Sequence, residues 1–494
     1  MGLRQKSFEV VNPEASFLLQ LNIEMTMKTK KASILLFRRD LLAKVSLLEQ
    51  EEIAYLKDRA EDGKDFCYIP VPEARFIVLW PKDAETMPQG ELLEKIRVTA
   101  SRILDKMRDE KIFKATVVDH SWQSAEGVSA FMEGLYLGSY RFDTFKKEKK
   151  EKFSFNLESD TLDAKALGRI EDVCKEVNRS KYLIDLPFSA LNAKQLGEWA
   201  EKDAEDLGIK VDVWPYAKIE KAGMGGLLGV NQGSVDKATF TEMRYKPAKA
   251  VNKKPIVLVG KGIVFDAGGM NIKTGSYMDD MKTDMAGAAL AMGIIRAAAR
   301  LRLPLYIVAL LPATDNRLNG NALVCGDVIT MYDGTTVEIT NTDAEGRLLL
   351  ADAVAYATAE YSPMLTVSMA TLTGAASRAL GSQGIAAMQQ GADQYVDALL
   401  QSGERVHERL CFFPMWKEYD KELDSDVADI KNCGNGPAGM ITAAKFVQYF
   451  AKETPFLHLD VAGVEFLHKK DAYRGPGATA FGIRMVLDFL QGLC

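Results

Sequence analysis

The stretch that most constrains this chain is Asn341–Leu348, which reads NTDAEGRL. Two carboxylates, Asp343 and Glu345, flank one alanine, and Arg347 follows two residues on. The stretch ends a β-rich segment and opens GRLLLADAVAYATAEY, an amphipathic pattern in good helix formers. Taken alone, Thr342 to Glu345 fits a capping box, with Thr342 as N-cap and Glu345 at N3. A plain helix start would explain that much.

A second segment changes the reading. Gly260–Asp284, GKGIVFDAGGMNIKTGSYMDDMKTD, leaves the carboxyl end of a predicted strand, Ile256–Val259. Ligands of open α/β sheets collect at the carboxyl ends of strands. NTDAEG also follows a predicted strand, as do Thr371–Gly374 after Leu365–Ala370 and Ala462-Gly463 after Leu457–Val461. Four strand ends thus point toward one crevice. Four carboxylates are available there: Asp266, Asp284, Asp343 and Glu345. Together and uncompensated they would repel strongly. Two divalent cations would neutralise them, and carboxylate oxygens suit Mg, Mn or Zn. The four histidines, His120, His407, His458 and His468, are scattered and form no H-E-x-x-H. No phosphate loop of the form G-x-x-x-x-G-K-[ST] occurs.

With 494 residues the chain is long for a single core. The expected fold is α/β: a large C-terminal catalytic domain, with a mixed sheet flanked by helices, and a smaller N-terminal α/β domain. The divisions expected are 1–150 for the N-terminal domain, 151–184 for a linker helix and 185–494 for the catalytic domain. Strands are predicted at Ala32–Phe37, Phe76–Trp80, Ala115–Asp119 and Leu305–Leu311. One long helix is predicted over Asp279–Leu301, and a hairpin over Val328–Ile339 turning at Asp333-Gly334.

Sixty-two basic against 68 acidic residues leave a net charge of −6, which argues against broad nucleic-acid binding. The six cysteines contain no C-x-x-C pair and read as reduced thiols, so the expected setting is the cytoplasm. No run of about 18 apolar residues suggests a membrane span. The N-terminus lacks a hydrophobic signal core. Met1-Gly2 opens like a myristoylation site, but Lys6 occupies the Ser/Thr position.

The motifs G-K-G-I-x-F-D-x-G-G-x-x-x-K, M-K-x-D-M-x-G-A-A and N-T-D-A-E-G-R-L, in that order and spacing, resemble the cytosolic leucyl aminopeptidase family. The resemblance also takes in Gly223–Ser234, Ala370–Ala375 and Leu459–Gly463. It implies a metal-dependent aminopeptidase that removes N-terminal Leu or other apolar residues from peptides, through a water bridging two metals (Zn, Mn, Co or Mg). By that resemblance Asp266 and Glu345 bridge the metals, Asp343 completes one site, and Lys261 and Asp284 complete the other. Lys273 and Arg347 form the catalytic pair, with a bicarbonate held at Ala344, Gly346, Arg347 and Leu372. A homohexamer is implied as well. Met281, three residues before Asp284 on the predicted helix, is read with Thr371, Gly374 and Ala462 as the wall of an apolar substrate pocket. Alternatives are another two-metal hydrolase, such as a phosphoesterase, or a DNA-binding or scaffold member of the fold.

Three positions depart from the family pattern. Cys325 stands in place of a proline, Ala313-Thr314-Asp315-Asn316 in place of A-E-N, and Glu465-Phe466 in place of an apolar–Trp pair. They bear on side-chain preference rather than on the reaction.

Overall fold

The structure, a computed structural model, describes residues 31–44, 49–61, 64–70, 74–202 and 204–494. The reading of Met1-Gly2 and Lys6 lies outside the described residues. Two compact units are present. The first takes in the described residues up to Ala84, Thr99–Val128 and Asp143–Asp163; the second takes in Glu85–Val98, Ser129–Phe142 and Ala164–Cys494. The sequence divisions at 150 and 184 do not coincide with these units.

In the first unit, β1 (Lys31–Phe37), β2 (Phe66–Ile69), β3 (Ala74–Leu79), β4 (Lys114–Asp119) and β5 (Ser154–Glu158) form one sheet in the order β2-β3-β1-β4-β5. Its β1–β3, β1–β4 and β4–β5 pairs are parallel and β2–β3 is antiparallel. The apolar runs at 32–37 and 115–119 are strands, as expected, and the one expected at 76–80 is a strand that ends at Leu79.

The second unit is built on a nine-stranded mixed sheet. Its strands are β6 (Ile209–Trp214), β7 (Thr239–Tyr245), β8 (Ile256–Gly260), β9 (Gly262–Asp266), β10 (Ile307–Asn316), β13 (Leu365–Ala370), β14 (Ile385–Gln390), β15 (Leu410–Phe412) and β17 (Phe456–Asp460). A short hairpin, β11 (Val328–Thr330) with β12 (Thr336–Glu338), lies outside it, turns at Gly334, and pairs with β16 (Ile430–Lys431). Strand β18 (Phe466–Leu467) pairs with β19 (Gly477–Ala478). The central strands β10, β8, β13 and β17 run parallel, so their carboxyl ends share one edge.

Both faces of that centre are buried. Ile256 and Leu258 pack with the helix Ala286–Arg300 on one side, and Val257 and Val259 pack with the helix Gly346–Tyr361 on the other. Period-2 alternation therefore sends every β8 side chain into a core, which is why the strand reads as one apolar run.

Three elements differ from expectation. The helix expected over Asp279–Leu301 is a 3-10 turn at Met281–Thr283 followed by the helix Ala286–Arg300. Thr283 Oγ1 donates to the Asp280 carbonyl at 2.8 Å, a local bond that competes with helix formation. Strand β10 runs past Pro312 to Asn316. Pro312 falls between its pairing with β8 at 307–310 and with β9 from Ala313. The helix Ala164–Asp185, part of which was read as a linker, packs on Ala286–Arg300 within the second unit. Among the described residues no helix is long and apolar enough to cross a membrane.

Asp352 ties the helix Gly346–Tyr361 down. It is fully buried and accepts from the backbone N–H of Leu227 and of Tyr332, each at 2.9 Å. Burial nonetheless pushes its carboxyl up to about 7. Asp352→Ala would strand the buried Leu227 donor and the half-buried Tyr332 donor, at about 1–2 kcal/mol each. Urea unfolding of the full chain should lose about 2–4 kcal/mol; a loss below about 0.5 kcal/mol, ordinary for a surface change, would contradict this.

Candidate active site

Backbone geometry brings the acidic segments together. Lys261 follows β8 directly, and its N–H donates to the Met369 carbonyl of β13 at 3.0 Å. Asp266 ends β9, where the register sets it beside Asn316, the last residue of β10. The chain then turns back through Gly268 and Gly269, at φ +88° and +60°, a conformation that only glycine adopts freely. Asn271 N–H donates to Thr342 Oγ1 at 2.8 Å, and Thr342 N–H donates to Asn271 Oδ1 at 2.8 Å. Thr342 is therefore not an N-cap. Glu345 is the N-cap residue and no side chain caps the helix. The capping-box reading fails because Thr342 clamps the 267–273 loop.

Asn316 was missed as a site residue by the sequence reading. Its Nδ2 donates to Asp266 Oδ1 at 2.8 Å, to the Thr342 carbonyl at 3.1 Å and to Glu345 Oε2 at 3.3 Å. One amide thus holds two carboxylates in register. Its position at the end of β10, level with Asp266, was the available signal, and finding it required the β9–β10 pairing.

Two lysines lie among the four acids. Lys261 Nζ is 2.7 Å from Asp284 Oδ2 and 3.0 Å from Glu345 Oε1. Lys273 Nζ is 2.7 Å from Asp266 Oδ2 and 2.6 Å from Asp343 Oδ1. Asp284 Oδ2 and Asp343 Oδ1 accept no hydrogen bond, so these two contacts are ion pairs without directed donors. Lys261, Asp266, Asp284 and Glu345 are all buried. Burial, with the neighbouring Asp266, holds the Glu345 carboxyl well above the ordinary range. Burial likewise raises Asp284, although Lys261 opposes it. For Lys261 burial favours the neutral amine, but Asp284, Glu345 and Asp266 outweigh it and keep the ammonium.

Acceptor oxygens of Asp266, Asp343 and Glu345 lie within 4.8 Å of one another. With two oxygens lacking hydrogen bonds and two carboxylates held toward their neutral forms, the cluster fits divalent cations. Gly346 belongs to the same arrangement. A Cβ there would come 2.3 Å from Lys261 Cε, so the lysine side chain crosses the start of the helix where only glycine leaves room.

The site opens into a cavity of about 630 Å³. Of the expected residues, Lys261, Asp266, Lys273, Met281, Asp284, Asp343, Thr371, Leu372, Gly374 and Ala462 line it; Ala344, Glu345, Gly346 and Arg347 are not among its lining residues. Glu345 reaches the site through Lys261. Arg347 is buried, donates from Nη1 to the Asn432 carbonyl at 3.0 Å, and leaves Nε without a partner. Met281 and Asp284 do not share an α-helix, yet they sit three residues apart across a 3-10 turn, which keeps them on one side.

Two further residues support the wall. Thr371 Oγ1 donates to Asp284 Oδ1 at 2.6 Å, adding a positioning role to its expected place in the pocket. Asp460, not singled out from sequence, ends β17. It accepts from Thr373 Oγ1 at 2.7 Å and from the N–H groups of Leu372 and Ala462 at 3.1 and 3.2 Å. It thereby joins the loops after β13 and β17, although burial lifts its own carboxyl to about 6.

Residues 178–487 match the catalytic domain of the cytosol aminopeptidase family. A probable cytosol aminopeptidase of Chlorobium limicola is 39% identical over 433 residues, covering 82% of this chain and 85% of the relative. One from Chlorobaculum tepidum is 43% identical over 390 residues, covering 75% and 77%. Among solved structures, the bottromycin maturation enzyme BotP in complex with Mn superposes with a TM-score of 0.82 at 27% identity, over 94% of this chain and 100% of that one. The cytosol aminopeptidase of Coxiella burnetii gives a TM-score of 0.80 at 27% identity, over 94% and 98%. A family match over most of the second unit and relatives near 40% identity make this chain a member of the cytosol aminopeptidase family, a metal-dependent aminopeptidase.

Proposed function

We propose that the acidic cavity is where this aminopeptidase cuts, and that it removes N-terminal residues with aliphatic side chains, Leu among them. The observation that carries the reading is the convergence of Asp266, Asp284 and Asp343 with two lysines in one cavity, with Glu345 joined to them through Lys261. Asp266 and Glu345 would hold both cations, Asp343 one, and Lys261 with Asp284 the other. Two divalent ions, Zn, Mn, Co or Mg, would supply a polarised scissile carbonyl and a bridging water made nucleophilic near neutral pH.

The protein groups divide the remaining tasks. Lys273 lines the cavity and keeps its proton, because Asp266, Glu345 and Asp343 outweigh burial. It would donate to the carbonyl oxygen as negative charge develops there. Lys261 is enclosed between Asp284 and Glu345 and would ligate only as the neutral amine, a form that adjacent dications favour. Arg347, with its unpartnered Nε at the start of a helix, is the candidate for holding a bicarbonate, together with Ala344, Gly346 and Leu372. Family membership supports a homohexamer and a cytoplasmic setting for the same enzyme.

The deciding assay compares a leucyl amide with an aryl phosphate, using the full chain loaded with Mn²⁺. Hydrolysis of the amide alone is expected; hydrolysis of the phosphate alone would overturn the reading. Lys273→Ala should lower kcat about 100-fold or more while metal affinity changes little. Lys261→Ala should chiefly lower the metal content. Equal loss of binding in both variants would remove the distinction.

Metal binding should also be visible in stability. A carboxyl raised on folding stabilises the fold fully below its unfolded value, and that contribution is lost as pH rises through the folded value. Asp284 and Glu345 are such groups, so the metal-free chain should weaken as pH climbs above about 4, the ordinary carboxylate value. Cations offset the charges that appear. The gain in Tm on adding Mn²⁺ should therefore grow from mildly acidic to neutral pH. A gain that is flat or shrinks over that interval would count against these ligands.

A further inference from the structure

The cavity holds one carboxylate that the cation-binding set does not use. Glu465 lies five residues beyond the end of β17 and lines the same cavity as Met281, Leu372 and Ala462. Its side chain is buried, with the residue 8% exposed, and its Oε2 has no hydrogen-bond partner.

The backbone around it is tied down. Glu465 N–H donates to the Val461 carbonyl at 3.2 Å, and the Glu465 carbonyl accepts from Thr479 N–H at 2.8 Å. Thr479 Oγ1 also donates to the Val464 carbonyl at 2.6 Å. These bonds hold the residue in place on the cavity wall.

The other carboxylates of the cavity each face a lysine. Asp266 and Asp343 face Lys273, and Asp284 faces Lys261 and Thr371. Of nearby acids off the wall, Asp460 is filled by loop donors and Asp280 lies 3.3 Å from His468. Among the described residues, Glu465 is the one cavity carboxylate with no cation within ion-pair distance. A buried, unmatched carboxyl is costly, and an arriving cation or N–H donor relieves it. Burial first, and then Asp284, Asp460 and Asp280, push this carboxyl well above its ordinary value, so its surroundings favour a positive partner.

We infer that Glu465 is a specificity residue that binds the cationic end of an N-terminal lysine or arginine side chain, whose apolar stem runs along Met281, Leu372 and Ala462. The inference rests on the aminopeptidase reading and refines its side-chain preference. Long basic side chains are built for such a wall, with a methylene stem for the apolar part and a charged head for the single acid. A leucine fits the apolar part and leaves Glu465 unmatched.

The test uses the full chain loaded with Mn²⁺ and lysyl, arginyl, norleucyl and leucyl amides. Norleucine has the lysine stem without the ammonium. Wild type should cleave the lysyl amide with kcat/KM at least equal to that of the norleucyl amide. Glu465→Met should lower the lysyl-to-leucyl ratio of kcat/KM about 10- to 100-fold, the range for loss of one charge-assisted bond. The near-isosteric Glu465→Gln should give a smaller fall, and it keeps the test open if the methionine variant folds poorly. A ratio is internally controlled, so a merely structural defect would not move it. Hydrolysis of the leucyl amide with a ratio indifferent to both substitutions would overturn the role of Glu465 and leave the aminopeptidase reading standing. No hydrolysis of any amide would overturn both.

Discussion

Four carboxylates gathered at one cavity repel one another, and the site exists because that repulsion is offset. Lys261 and Lys273 provide part of the offset, each bridging two acids at 2.6–3.0 Å. The match is incomplete, since two lysines face four acids. Burial holds Asp284 and Glu345 toward their neutral forms as a result. Cations arriving in the cluster would displace the lysines from this duty. One lysine would become a ligand and the other would remain a fixed positive charge beside the substrate.

The rest of the second unit serves to hold those charges still. Asn316 spans Asp266 and Glu345, Thr342 clamps the loop that carries Lys273, Thr371 braces Asp284, and Asp460 joins the loops after β13 and β17. Beneath them, a strand buried on both faces and two apolar helices leave the edge little freedom to move. Such support keeps a catalytic arrangement from loosening.

Much of this was legible in the sequence, because charge and chain geometry are both written locally. Apolar runs ending in Gly260-Lys261, Ala370-Thr371 and Asp460-Val461 marked strands, and the acids beyond them marked the edge. Thr342 was misread because its spacing to Glu345 suits a cap; only contact with Asn271, 71 residues away, shows its use. Asn316 entered only as a departure from the family pattern, because the strand read over Leu305–Leu311 stops short of it, whereas the pairing passes from β8 to β9 and carries the strand on to Asn316. The helix over Asp279–Leu301 was drawn too long, since periodicity does not register that Thr283 bonds back to Asp280. Glu465 stood out as a departure, but its isolation on the cavity wall appears only once every other acid has been paired.

The central claim is that these acids and Lys261 hold two cations. Anomalous diffraction from crystals of the full chain grown with Mn²⁺, recorded on both sides of the metal absorption edge, tests it directly. The account predicts two peaks in the cavity, both in contact with Asp266 and Glu345, one beside Asp343 and the other beside Asp284 with Lys261 Nζ turned to the metal. A single peak, or peaks elsewhere with Lys261 still paired to Asp284 and Glu345, would contradict it.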